Sequence, residues 1–405
     1  MAPRIRPPTI ITLPACGPPP LPPTSPTTNT FLAQRFGPAA GPRKRWLIYF
    51  VTGNPGLVGY YDLFLSHLHF LLSAHPTLAP RHAFDVFGRS LSGFEARGVA
   101  CPSWPAGKGG RKGPASPPFG LAEQIDGVEW ALWDHVRGMR ELGEDGEAVL
   151  VNGHGCEEGE EEEPRVVVIG HSVGAYMALE VVRRWREGLK KRGVGEKEEG
   201  VEMDVDEKDG GRIVGGVCLF PTVTHIAKSS SGLKLTVRLT PPQPECHLRA
   251  FANPFTQVLL ESIPTLPVIA HLLAILLTFF IPTAILTEIL ALVLNHPHDA
   301  ARTTAEFLKS RHGVQQALHM ARDELETITA DAWDAEIWGA ADPSPVGVPR
   351  PKLFFLFGQN DHWVADETRD DLIKARGRGR FDGEKWKPLM EVDEAGIPHG
   401  FCLGE

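Results

Sequence analysis

Residues 165–182 read RVVVIGHSVGAYMALEVV, and the fold follows from that stretch. Val166–Ile169 is a continuous apolar, β-branched run, the pattern of a strand buried on both faces. Gly170-His171-Ser172-Val173-Gly174 comes next, a G-x-S-x-G, and Ala175–Trp185 (AYMALEVVRRW) then spaces its apolar residues as an amphipathic helix does. A serine on a sharp strand-to-helix turn has its hydroxyl lifted above the sheet. Its neighbours two positions away must be glycine, because side chains there would collide. The helix that follows aims its positive end at any negative charge forming beside the serine. Glycine and serine are common in this chain, so the motif is informative only because a strand precedes it and a helix follows.

Working outward, five more apolar runs occur at Trp46–Val51, Phe84–Phe87, Ile213–Phe220, Leu353–Phe357 and Leu389–Val392, with helical patterns between several of them. Strands of this kind alternating with helices indicate an α/β fold with a mostly parallel sheet flanked by helices.

A serine nucleophile needs a base, and the base needs an orienting carboxylate. In α/β-hydrolases these follow in the order Ser, Asp or Glu, His, each in a loop after a strand. Downstream, KLFFLFGQNDHWV places Asp361 just after an apolar strand, and PLMEVDEAGIPHGFCL places His399 in the loop after the last one. His362 is a rival base, but it immediately follows the acid; Asp393 is a weaker rival acid. The expected catalytic set is Ser172, Asp361 and His399. An oxyanion hole needs two backbone N–H donors. Val173 supplies one, and the glycine-rich loop after the first strand, TGNPG, supplies the other from Gly53 or Asn54. That loop lacks the GKS/T or G-x-G-x-x-G of a phosphate cradle.

Composition narrows the field. The 405 residues carry 41 Lys+Arg against 50 Asp+Glu, a net charge of −9, which argues against a nucleic-acid partner. The six cysteines are scattered with no CxxC pair, so neither a disulfide framework nor a zinc site is expected, and no metal or cofactor is called for. Prolines interrupt the only apolar run of the N-terminus, so a secretory signal is not expected. Residues 1–42 hold 12 of the 36 prolines and read as a disordered Pro-rich segment ahead of one domain over 43–405. Residues 101–118, 153–164 and 187–212 read as solvated loops.

The segments TGNPGLVGYYDLF, GHSVGAY, LFPTVTHIAKSSSG (Leu219–Gly232), FGQNDHWV and IPHGF together resemble the lipid-droplet-associated hydrolase family of α/β-hydrolases, over roughly residues 45–405. The resemblance implies a serine esterase acting through an acyl-enzyme on neutral-lipid or sterol esters, with Ser172, Asp361 and His399 as its triad. It implies a lipid-droplet or endoplasmic-reticulum surface, on the cytosolic face. The alternatives are a droplet-surface protein with little or no turnover, and acyl transfer to an alcohol. No protein partner can be read from the sequence.

One segment bears on that surface. Residues 263–294 are almost continuously apolar, with Glu288 and His271 the exceptions, and prolines divide them into Val268–Ile281 and Thr283–Leu294. A bilayer-spanning helix takes about 20 residues, so neither piece spans alone. A helix apolar on every side must be buried in something. Residues 233–310 are therefore expected to form either a hydrophobic helical cap over the active site or a membrane-associating insertion.

Overall fold

The computed structural model describes residues 30–33, 44–95, 116–141, 164–195, 212–239, 266–339, 348–378 and 386–403. Seven strands form one sheet: β1 (Thr30–Ala33), β2 (Lys44–Val51), β3 (His82–Arg89), β4 (Arg165–His171), β5 (Arg212–Leu219), β6 (Lys352–Phe357) and β7 (Leu389–Val392), in the order β1-β3-β2-β4-β5-β6-β7. Every neighbouring pair is parallel except β1 with β3. The continuous apolar runs are the central strands; Leu47, Phe50, Val166, Val168 and Phe355 are all fully buried. Helices α1 (Asp62–Ala74), α2 (Leu121–Glu141), α3 (Val173–Gly195) and α10 (Asp366–Arg376) connect the strands. This is the mostly parallel α/β sheet flanked by helices expected from the pattern, and the α/β-hydrolase architecture that the family resemblance implies.

Two boundaries differ from expectation. Thr30–Ala33 falls inside the stretch read as disordered, yet it pairs antiparallel with β3 and buries Phe31. Four alternating residues among prolines are too short a pattern to register in sequence, and an edge strand needs only one partner. The rest of 1–42 lies outside the described residues. Helix α3 also runs on to Gly195, into the stretch read as a loop from 187. Its Lys, Arg and Glu are good helix formers, and Glu187 pairs with Arg183 one turn back. Most of 101–118 and 153–164 also lies outside the described residues.

The connection from β5 to β6 holds the cap: α4 (Ser230–Leu239), α5 (Leu266–Thr278), α6 (Thr283–Leu294), α7 (His298–Lys309), α8 (Gly313–Thr327) and the short α9 (Ala335–Trp338). The helical insertion thus passes the expected end at 310, because α8 packs with α5 and α7 as part of the same layer. Helices α5 and α6 meet at 109° across the break before Pro282, and among the described residues no single helix is long and apolar enough to cross a membrane. One side of this hairpin rests on protein, α6 along α7 and α5 along α8. The Lys309 ammonium donates to the carbonyls of Thr278 and Ile281 at the elbow, and His271 Nε2–H donates to the Arg311 carbonyl. The other side is bare: Leu276, Leu277, Phe280, Leu292 and Val293 are each at least 66% exposed.

Candidate active site

Parallel strands deliver their following loops to one edge of the sheet, where α/β proteins bind their ligands. Here β2, β4, β6 and β7 deliver, in turn, Gly53 and Asn54, Ser172, Asp361, and His399. Ser172 occupies the strand-to-helix turn with φ of 55°, a left-handed conformation that side chains other than glycine rarely adopt. Its amide donates to the Leu219 carbonyl, which pins the turn to β5. The flanking glycines are compelled by packing: a Cβ at Gly170 would strike the Gly174 carbonyl, and one at Gly174 would strike the carbonyls of Val51 and Thr52.

The structure brings the three expected side chains into one line. Ser172 Oγ lies 3.0 Å from His399 Nε2, and His399 Nδ1 lies 2.7 Å from Asp361 Oδ2. An ionised carboxylate only accepts, so Nδ1 carries the proton and Nε2 is left to accept from the serine hydroxyl. The other Asp361 oxygen accepts the Trp363 amide at 2.8 Å, which fixes the carboxylate's orientation. Both rivals are placed elsewhere. Asp393 accepts the amides of Ala395 and Ile397 and so shapes the loop leading to His399. His362 is exposed, its ring 6.0 Å from that of His399.

Of the oxyanion candidates, Val173 opens α3, where amide groups have no partner within the helix. The Gly53 amide donates to Tyr61 Oη at 3.3 Å, whereas among the described residues no acceptor meets the Asn54 amide. The Asn54 side chain is held by the cap, its Nδ2 donating to the Ala317 carbonyl and to Glu324 Oε1, both at 3.0 Å.

A cavity of about 450 Å³ opens onto Ser172 and His399, roofed by Thr304 and Phe307 of α7 and by Glu324 and Leu325 of α8. Burial pushes the Glu324 carboxyl up from its ordinary 4.5 to about 8, so it is a neutral acid at pH 7. Sequence reading missed Glu324, whose helix has no motif. It also passed over His171 and Tyr61, which stand inside quoted motifs but in positions read as spacers. His171 is fully enclosed, and burial, followed by the nearby His399, pulls its pKa down to about 3. Chemically, the arrangement can activate a hydroxyl for attack on a carbonyl and receive the charge that develops.

A family model described as "Lipid-droplet associated hydrolase" matches residues 44–402. The lipid droplet-associated hydrolase of Gallus gallus is 21% identical over 364 residues, spanning 89% of this chain and 80% of its own. Among solved structures, a carboxylesterase of Nitrososphaera gargenis is similar at 12% identity and a TM-score of 0.40, over 92% of this chain and 88% of its own. A soluble variant of monoglyceride lipase from Saccharomyces cerevisiae is similar at 11% identity and a TM-score of 0.40, over 93% and 85%.

Proposed function

The chain belongs to the lipid-droplet associated hydrolase family, and from that premise we propose that it is a serine esterase cleaving carboxylic esters of neutral lipids or sterols at a lipid-droplet surface. Ser172 attacks the acyl carbonyl while His399 takes its proton, and Asp361 holds the imidazole and stabilises the imidazolium that forms. The amides of Val173 and Asn54 receive the oxyanion. His399 then returns the proton to the departing alcohol. Water, activated by the same histidine, releases the acid from the acyl-enzyme. The observation that carries this reading is the Asp361–His399–Ser172 relay at 2.7 and 3.0 Å beside a cavity that opens onto the serine.

The bare face of the α5–α6 hairpin supports a monotopic contact with the phospholipid monolayer of a droplet or of the endoplasmic reticulum, on the cytosolic side. Transfer of a leucine-sized side chain out of water contributes about 1.5–3 kcal/mol, and more than five such side chains are exposed together.

Labelling with a fluorophosphonate probe tests the catalytic half. The expected result is one labelled serine, with labelling lost in Ser172→Ala. A folded wild-type protein that takes no label would instead favour a droplet-surface protein without turnover.

A further inference from the structure

Beneath the line of Ser172, His399 and Asp361 runs a second chain of hydrogen bonds made of groups that no step of the hydrolysis uses. His171 Nε2 lies 2.9 Å from the backbone carbonyl of His399. His171 Nδ1 lies 2.7 Å from Tyr61 Oη, which in turn lies 3.3 Å from the Gly53 amide. The chemistry of the ends fixes every proton between them. A carbonyl only accepts, so His171 Nε2 carries a hydrogen. A buried imidazole held neutral has just one, so Nδ1 accepts from the tyrosine O–H. The tyrosine oxygen then accepts from Gly53. Packing holds the chain rigid, with the rings of Phe220 and Phe401 set edgewise against His171.

We propose that His171 and Tyr61 are positioning residues that tie the backbone of the base, His399, to the oxyanion loop at Gly53, so that the two catalytic loops keep one fixed geometry. This rests on the serine-esterase reading above. His399 stands on a loop after the last strand, and its imidazole must meet a carboxylate on one side and a hydroxyl on the other. Anchoring its own carbonyl restricts the backbone torsions that aim the ring. At the far end, the Gly53 amide is turned to Tyr61, which sets the peptide leading to Asn54. A neutral link suits this place, since a second positive charge beside His399 would oppose formation of its imidazolium.

The test uses the full chain with three variants. His171→Phe keeps a planar ring and removes the donor, His171→Gln restores an N–H in reach of the carbonyl, and Tyr61→Phe removes the proton given to His171. With 4-nitrophenyl butyrate, His171→Phe and Tyr61→Phe are expected to lose roughly 10- to 100-fold in kcat with KM unchanged, the usual cost of displacing a catalytic group by about an ångström. His171→Gln is expected to recover most of that loss. Wild-type kcat in both Phe variants, or a Gln variant as slow as the Phe variant, overturns the proposal. If His171→Phe does not fold, Tyr61→Phe decides alone by the same criterion.

Proton NMR in a Ser172→Ala background reads the geometry without turnover. The downfield signal of the His399 Nδ1–H bound to Asp361 is expected to shift or broaden in His171→Phe, and an unchanged signal overturns the proposal. Turnover surviving in Ser172→Ala would sink the esterase reading, and the NMR comparison would still judge the positioning role.

Discussion

Replacing Glu324 by glutamine should stabilise this protein, and by an amount that grows with pH. Glu324 is buried under the cap with its Oε1 accepting from Asn54, and glutamine keeps that acceptor while removing the acidic proton. The folded-state pKa of about 8 lies above the ordinary 4.5, so between those values the native state holds a proton that the unfolded chain has released. Stability from this group is therefore complete below pH 4.5, falls as pH rises, and is lost once pH passes 8. At about 1.4 kcal/mol per pH unit, the wild type concedes about 3 kcal/mol at pH 7 and about 5 kcal/mol above pH 8. Glutamine concedes none of it. Urea unfolding of both proteins at pH 5, 7 and 9 measures the difference, and the other titrating groups cancel in the comparison. The gap should be under about 1 kcal/mol at pH 5 and several kcal/mol at pH 9. A gap that stays constant across the three pH values would refute the argument, because it would mean that Glu324 titrates alike in the folded and unfolded chain.

Three further outcomes are expected. Asp361→Asn and His399→Ala should each lower ester hydrolysis at least about a thousandfold while melting near the wild type; full activity in His399→Ala would transfer the base role to His362. Phe31→Ala should cost about 3–5 kcal/mol and lower the melting temperature by several degrees, since that ring is buried; an unchanged melt would show that β1 contributes nothing. Changing Leu276, Leu277 and Phe280 together to serine removes side chains that are 66%, 72% and 85% exposed, so the variant should stay folded and lose binding to phospholipid-coated oil droplets. Aggregation of that variant would show instead that the hairpin packs against protein.

The fold was legible because short apolar runs mark the strands, unbroken in the buried central ones and interrupted by Asp85 in β3 and by Glu391 in the less buried β7. All six of them became β2 to β7, and Leu389–Val392 matches its strand residue for residue. Ser172 was legible because geometry restricts its neighbours at 170 and 174 to glycine, and steric necessity leaves a mark on sequence. Asp361 and His399 were legible from chain order and their places after strands. What stayed hidden depends on contacts between residues far apart in the chain. Glu324 meets Asn54 across 270 positions, and His171 meets His399 across 228. No local period or spacing encodes such a meeting. Thr30–Ala33 stayed hidden for another reason. Its strand is stabilised by the edge of β3, and four residues carry too little pattern of their own.

The strand that carries His399 is the least secured of the parallel set. β7 has four residues, lies at the edge of the described sheet, and pairs only with β6. Beyond it the chain is held by the Asp393 amide on the Phe357 carbonyl, the Asp393 carboxylate on Ala395 and Ile397, His171 on His399, and the ring of Phe401 against Tyr61, Phe64, His171 and Phe220. Ser172, by contrast, rises from β4 in the middle of the sheet, with partners on both sides. On warming, the two halves of the reaction centre should therefore part company, because edge elements open at lower free energy than central ones. Amide hydrogens of residues 389–403 would exchange well ahead of those in β4, and heat would silence the enzyme while most of its sheet is still intact. Thermal tolerance of the activity is then governed by the last strand and its clamps, and enlarging the central core would do little to extend it.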